Sequence, residues 1–284
     1  MSDAKNDLGL SFEAGQRPPE PRLAATVLVL REHAGGLEVY CILRHPKSGF
    51  LGGAAAFPGG KVDEADNNAE WQRHVHGQPL RSELVASDSI AVRALGIAAA
   101  RETLEEAGLF PAPIDEGQVA RLRAEIATGT PLRSAVTGVC HVELARFVTF
   151  ARWVTPEAEP KRFDAVFFLL ELPHGQVASA DEHEVTGGFW ATPADALARF
   201  ERGEIMLAPP TTRCLELLKD AHTVADAFAI AAEQSLLPIC PLFVPGDPPL
   251  LSLPGDPTHS IPERRVAGPT RFALRDGKFI SEDP

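Results

Sequence analysis

The sequence predicts an α/β fold in which a mixed sheet is flanked by helices. Two observations support this. Strand-like runs alternate irregularly with helical patterns along the chain, and some of the strand-like runs follow one another closely enough to form hairpins. In addition, hydrophobic residues make up 44% of the 284 residues, which is enough to build a sizeable core.

The first two strands are predicted near the N-terminus. The run AATVLVLRE, at 24–32, is rich in β-branched residues that alternate with others, as expected of a strand. A short turn at 34–36 precedes a second apolar run at 37–43, so the two runs predict a hairpin. The glycine-rich stretch at 47–67 then predicts a loop or bulged strand that allows close approach of backbones.

A long helix is predicted over 89–107. The segment contains strong helix formers. Spacings of three and four connect Ile90, Ala94, Ile97, Ala100 or Arg101, and Leu104, which indicates an apolar face. Gly108 supplies a stop just past the predicted end.

The later elements are predicted from shorter patterns. Weaker helical patterns and strand-like runs alternate up to a proline-dense segment that starts at 237, and a short hairpin closes the chain. The predicted helices are 117–127, 193–203 and 211–220, and residues 223–236 are alanine-rich. The predicted strands are 142–156, 163–173, 187–193 and the hairpin at 270–280.

The charge balance excludes some classes of partner. Lys and Arg number 27 against 39 Asp and Glu, a net charge of -12, so neither a general nucleic-acid binder nor a protein that binds anionic membranes is expected. A phosphorylated small molecule held through a metal ion stays compatible, because the ion supplies positive charge.

The compartment is expected to be the cytoplasm. The four cysteines are far apart and form no CxxC pair, which predicts reduced thiols. The first residues, MSDAKNDLGL, do not resemble a secretory signal, and no apolar run approaches the length of a membrane span.

The segment RETLEEAGL, at 101–109, is the strongest candidate for chemistry. On a helix, Glu102, Glu105 and Glu106 project from one side, and Arg101 lies four residues before Glu105, close enough to pair with it. Three crowded carboxylates near a helix C-terminus repel one another, and a hard divalent cation such as Mg²⁺ or Mn²⁺ relieves that repulsion. The alternative interpretation is a solvated acidic helix end.

Together with an upstream segment, this motif resembles the Nudix box, G-x5-E-x7-R-E-U-x-E-E-x-G-U, of the Nudix hydrolase family. Gly60 and Asp66 match the left half, and 101–109 matches the right half. Asp66 replaces the usual Glu, Thr103 occupies a hydrophobic position, and the 34 residues between Asp66 and Arg101 exceed the family's 7 by an insertion of 27. Arg44, Gly53, the FPGG segment at 57–60 and the segments at 151–157 and 162–169 are similar to the coenzyme A diphosphatase branch of the family.

The resemblance implies a Nudix-like α/β/α sandwich and metal-dependent hydrolysis of a diphosphate. It implies that Glu102, Glu105 and Glu106, with the Gly60 backbone, hold Mg²⁺ or Mn²⁺, while Arg101 orients Glu105 or balances charge. A general base from another loop is implied, with Glu182 and Glu184 as candidates; an acidic surface turn is the alternative for both. The implied substrate-binding residues are Arg44, Phe57, Gly59, Gly60, Lys61 and Arg162. Arg44 either contacts a 3′-phosphate or ends a strand facing solvent.

The implied substrate is a small molecule with a diphosphate, coenzyme A or acyl-coenzyme A first. An ADP-ribose or nucleoside-diphosphate-sugar pyrophosphatase is the second hypothesis, and a non-catalytic nucleotide-binding module is the third.

Three segments are predicted. Residues 1–22 form a flexible lead-in, 23–220 form the Nudix domain with the insertion at about 67–92, and 221–284 form an extension that packs on the domain or on a partner subunit. The insertion is expected to form either a lid or a homodimer contact.

Overall fold

The computed structural model describes residues 19–33, 36–45, 53–86, 88–181 and 185–284. Within these ranges the chain forms a mixed eight-stranded sheet, two smaller sheets and six α-helices. The helices are α1 Ser89–Ala107, α2 Glu116–Ala127, α3 Leu132–Val136, α4 Pro193–Glu201, α5 Pro209–Leu218 and α6 Val224–Glu233. The strands are β1 Arg22–His33, β2 Gly36–Arg44, β3 Ala54–Ala56, β4 Gly59–Lys61, β5 Val75–His76, β6 Val142–Glu143, β7 Val148–Val154, β8 Phe163–Glu171, β9 Val185–Ala191, β10 Met206–Leu207, β11 Leu242–Val244, β12 Leu250–Ser252, β13 Arg271–Arg275 and β14 Lys278–Glu282.

Strand β1 lies at the centre of the main sheet, whose order is β10-β3-β2-β1-β8-β7. It runs parallel to β8 and forms the predicted antiparallel hairpin with β2. The hairpin pairing is confined to Leu30–His33 of β1, and beyond it the two strands separate. Strand β4 then pairs with β1, while β3 and β9 pair with β2.

Residues 54–61 of the glycine-rich segment therefore lie inside the sheet, as two short strands joined at Phe57 and Pro58. Gly59 is opposite Thr26 of β1, and a Cβ at Gly59 would lie 2.5 Å from the carbonyl oxygen of Ala25. Only glycine permits this approach, which agrees with the prediction of close backbone contact.

The sheet is covered on both faces, so the predicted sandwich is confirmed. Val27 and Val29 of β1 pack with residues of α1, α2 and α3, whereas Leu28 and Leu30 pack on the opposite face with residues of α4, α5 and α6. This alternation is the period of two that a strand buried on both faces requires.

Helix α1 has the predicted bounds. Asp88 caps its first turn by accepting a hydrogen bond from the backbone N–H of Ile90, and Gly108 ends it in the left-handed conformation at φ 62°. Ile90 was expected on the apolar face but is 43% exposed, because the buried face begins one turn later with Val92 and Ala94.

The insertion packs on its own chain. A 3₁₀ turn at Ala69–Arg73 buries Trp71, and β5 of the insertion pairs with β6. The predicted strand at 142–156 is divided in the structure, because a 3₁₀ turn separates β6 from β7. The Arg81 guanidinium donates to the backbone carbonyl oxygens of Ala231 and, at 2.8 Å, of Gln234.

The C-terminal residues form α6 and the antiparallel sheet β11-β12-β13-β14. Arg213 of α5 is fully buried and donates to the carbonyl oxygens of Ala267 and Pro269, both at 2.6 Å. This contact fixes the C-terminal sheet to α5. Among the described residues, no helix has both the length and the apolar composition needed to cross a membrane.

Candidate active site

The two sequence motifs meet where the last turns of α1 lie against β4. The Glu106 carboxylate accepts a hydrogen bond from the backbone N–H of Gly59 at 2.8 Å. The Glu102 carboxylate lies against Gly60, where any Cβ would overlap it. Both glutamates are buried, whereas Glu105 is partly exposed. The fold therefore brings 57–60 and 101–109 together in space.

Arg101 links the carboxylates of this site. Its Nη1 donates to Glu102 Oε1 at 2.6 Å and to Glu105 Oε2 at 3.1 Å, so the i to i+4 pair expected from the spacing is present. Its Nη2 also donates to the carbonyl oxygen of Lys61 at 3.0 Å. A single guanidinium thus places Glu102 and Glu105 side by side.

Asp66, the residue that replaces the usual Glu, binds the other edge of Arg101. Its two oxygens accept from Nε at 3.1 Å and Nη2 at 2.9 Å, and Oδ2 also accepts the Asp63 N–H at 2.9 Å. The Asp66 side chain is only 2% exposed. The shorter carboxylate therefore still reaches Arg101, and it attaches the loop before the insertion to α1.

The surrounding charge shifts the pKa of Arg101. Burial by itself would lower this pKa, but the hydrogen bond with Asp66 and the negative charges of Glu102, Asp66 and Glu105 raise it above its usual value. Arg101 therefore stays protonated, and the carboxylates around it outnumber it.

Lys61 supplies a second cation at the rim of the site. It is 53% exposed and pairs with Asp63. The hydrogen bond from Lys61 lowers the pKa of Asp63 below its usual value. Lys61 is thus accessible to an anionic ligand that competes with Asp63.

The candidate ligands are oxygen atoms, which hard divalent cations prefer. All three candidate side chains are carboxylates, and the Gly60 backbone lies beside that of Glu102. In the rotamers of this structure, however, no three Asp, Glu, His or Cys side chains among the described residues form a group able to hold a metal ion. Oxygens of the three glutamates are instead engaged by Arg101 and by the Gly59 N–H.

The C-terminal end of α1 is held by residues that the sequence analysis did not identify. Arg123 of α2 donates to the carbonyl oxygen of Glu105 through Nη2 at 2.7 Å and Nε at 3.2 Å, and its Nη1 donates to Ser179 Oγ at 2.9 Å. The Ser179 N–H donates to the carbonyl oxygen of Ala107 at 2.8 Å. No local pattern marks Arg123, because its partners are distant in sequence.

Other predicted site residues have different surroundings. Phe57 is 4% exposed and packs in the core on the face opposite α1. Arg162 is 9% exposed and donates to the carbonyl oxygens of Thr155 at 3.1 Å and Pro19 at 3.0 Å. Substrate binding by these two residues stays a prediction, although in this structure both contact the protein itself.

Arg44 ends β2, and its carbonyl oxygen accepts the Gly53 N–H at 3.1 Å. Among the described residues its buried Nε has no hydrogen-bond partner. The general-base candidates Glu182 and Glu184 lie outside the described residues, so their roles stay predictions.

Comparison with known proteins identifies related chains. Residues 77–218 match the family model described as NUDT19 Nudix domain. The chain is 27% identical over 303 residues to the acyl-coenzyme A diphosphatase NUDT19 of Gallus gallus, covering 86% of this chain and 78% of that protein. It is 28% identical to the Homo sapiens protein of the same name, covering 78% of this chain and 72% of that protein.

Among solved structures, a NUDIX hydrolase from Alicyclobacillus acidocaldarius is 30% identical, with a TM-score of 0.64. The match covers 74% of this chain and 96% of that one. Nudix hydrolases generally require a divalent metal ion, in keeping with the carboxylate-rich end of α1. This chain belongs to the Nudix hydrolase family and carries a NUDT19 Nudix domain.

Proposed function

We propose that the protein hydrolyses the diphosphate of coenzyme A or acyl-coenzyme A, with Mg²⁺ or Mn²⁺ as cofactor. The observation that carries the proposal is the contact of Glu102 and Glu106 with Gly60 and Gly59, which joins the two halves of the motif in one site. The names of the relatives from Gallus gallus and Homo sapiens support the coenzyme A class of substrate.

The reaction is the attack of water on one phosphorus atom of the diphosphate, with cleavage of the bond to the bridging oxygen. Coenzyme A would give adenosine 3′,5′-bisphosphate and 4′-phosphopantetheine. When bound, the divalent ion neutralises phosphate charge and lowers the pKa of water.

The side chains of this site have distinct proposed roles. Glu102, Glu105 and Glu106, with the Gly60 backbone, would hold the ion. Arg101 orients Glu102 and Glu105 through its two hydrogen bonds to them. Lys61, which is exposed, would bind a phosphate oxygen, and the diphosphate would lie beside the Gly59 and Gly60 backbone of β4.

Roles are also proposed for three further residues. Arg44 would contact the 3′-phosphate of coenzyme A. Glu184, or Glu182 beside it, would act as the general base that accepts a proton from water.

A substrate panel tests the proposal. The full-length protein is incubated with free coenzyme A, acetyl-coenzyme A, ADP-ribose and NADH, with Mg²⁺, with Mn²⁺ and with a chelator, and the products are identified by mass spectrometry. We expect adenosine 3′,5′-bisphosphate from the two coenzyme A substrates, and only when the metal is present. Preference for ADP-ribose would favour the alternative pyrophosphatase, and binding without any product would favour the non-catalytic module.

The cytoplasm is the proposed compartment, since all four cysteines are free. Burial raises the pKa of the Cys41 thiol to about 12, so this thiol is unreactive near neutral pH. The homodimer stays a prediction.

A further inference from the structure

The carbonyl oxygen of Glu105 accepts its hydrogen bonds from a side chain, whereas the carbonyl oxygens of Thr103 and Leu104 accept theirs from backbone N–H groups. At the end of α1, the N–H groups of Gly108 and Leu109 donate to the carbonyl oxygens of Leu104 and Thr103, at 3.1 and 3.3 Å. This leaves Glu105, one of the last residues of the helix, needing a donor from elsewhere. The guanidinium of Arg123 supplies two donors to that single oxygen.

This contact fixes the turn that carries two of the three candidate cation ligands. The Arg123 guanidinium is planar, and its third donor binds Ser179 Oγ, so its orientation is set from both sides. The neighbouring Ser179 N–H holds Ala107 at the end of the same turn. The backbone from Glu105 to Ala107 is therefore tied to α2 and to the loop at Ser179.

The positive charge of Arg123 also favours the cluster of carboxylates at the end of α1. The C-terminal end of a helix carries partial negative charge, which disfavours a cluster of carboxylates there. The guanidinium of Arg123, bound to the carbonyl oxygen of Glu105, offsets that charge. A cation at this helix end is thus built into the fold, outside the Nudix box itself.

We infer that Arg123 is a positioning residue for the candidate cation site: it acts on the divalent ion through the backbone of Glu105. This inference rests on the proposed function only in assuming that the carboxylates of α1 bind the ion. Residues that orient metal ligands in this way alter metal affinity by about 10- to 100-fold when they are replaced.

The test measures Mn²⁺ binding to the full-length protein without substrate, from the electron paramagnetic resonance signal of free Mn²⁺. We expect Arg123→Gln to bind Mn²⁺ about 10-fold more weakly than the wild type. Arg121→Gln, an exposed position on the same helix, is the matched control and should retain wild-type affinity. Arg123→Lys, which keeps the charge but loses the two-donor geometry, should be about 3-fold weaker.

Circular dichroism establishes that each variant is folded. If Arg123→Gln does not fold, Arg123→Lys decides the question. Wild-type Mn²⁺ affinity in the folded Arg123 variants would overturn the inference, as would a wild-type protein that binds no Mn²⁺. If the substrate panel fails while Mn²⁺ affinity still depends on Arg123, the inference stands and the proposed substrate does not.

Discussion

Two arginines of this protein, the partly exposed Arg101 and the fully buried Arg213, have opposite surroundings. Arg101 contacts the side chains of Asp66, Glu102 and Glu105, and these carboxylates raise its pKa. Arg213 donates mainly to neutral carbonyl oxygens and has Glu216 as its anionic partner, and burial lowers its pKa below the usual value. An arginine outnumbered by carboxylates marks a site with capacity for further cations, whereas an arginine matched to carbonyls marks a structural link.

The first prediction removes charge at the α1 site without removing a hydrogen bond. In Glu106→Gln the side-chain oxygen can still accept from the Gly59 N–H, but the negative charge is lost. If Glu106 is a metal ligand, as proposed, turnover of coenzyme A should fall about 1,000-fold, equivalent to about 4 kcal/mol. Steady-state kinetics measure this loss. A melting temperature within a few degrees of wild type confirms folding, and near-normal turnover would exclude Glu106 from the site.

The second prediction breaks the structural link. Arg213→Met removes the donor to the carbonyl oxygens of Ala267 and Pro269 and the cationic partner of Glu216, so the free energy of unfolding should fall by about 3 kcal/mol. Urea denaturation measures the change. Arg275→Met removes a more exposed pair with Glu282 on the C-terminal sheet and should cost less than about 1 kcal/mol. Equal costs for both variants would contradict the structural role of Arg213.

The third prediction concerns Asp256, which lies in the same C-terminal region. Burial would raise its pKa, but hydrogen bonds from Arg271, Thr258 and Thr270 lower it from 3.8 to about 2. Because the folded pKa is depressed, this stabilisation is present above about pH 4 and is lost as the pH falls toward 2.

We therefore expect Asp256→Asn to destabilise the protein by about 2 kcal/mol at pH 7. The difference from wild type should shrink as the pH falls from 4 to 2. Denaturation at a series of pH values checks this, and a difference that does not change with pH would show that the charge of Asp256 is not responsible.

The fourth and smallest effect is expected at Lys61. Its pair with Asp63 is exposed, so Lys61→Ala should change the free energy of unfolding by less than about 0.5 kcal/mol. If Lys61 binds a substrate phosphate, the KM for coenzyme A should rise about 5-fold, corresponding to about 1 kcal/mol. An unchanged KM would remove Lys61 from the substrate-binding residues.

The sequence was sufficient to predict the elements that depend on local pattern. Helix α1 was predicted from its composition and from Gly108, and β1 from its alternation, because the information for both lies within each segment. The Arg101–Glu105 pair was predictable for the same reason, since helical spacing alone brings these residues together.

Contacts between distant segments were not predictable in this way. Arg123 reaches Glu105 only because α2 packs beside the end of α1. Phe57 faces the core because it lies between β3, which pairs with β2, and β4, which pairs with β1. For the insertion, the sequence suggested a lid or a homodimer contact. In the fold, Trp71 and Arg81 bind the insertion to its own chain, and both expected roles stay predictions.

The most direct test of the central claim is an anomalous difference map from crystals soaked in Mn²⁺. We expect one strong peak in contact with the carboxylates of Glu102, Glu105 and Glu106 and close to the Gly60 backbone. Peaks only at other positions, with these carboxylates still bound to Arg101 and to the Gly59 N–H, would contradict it.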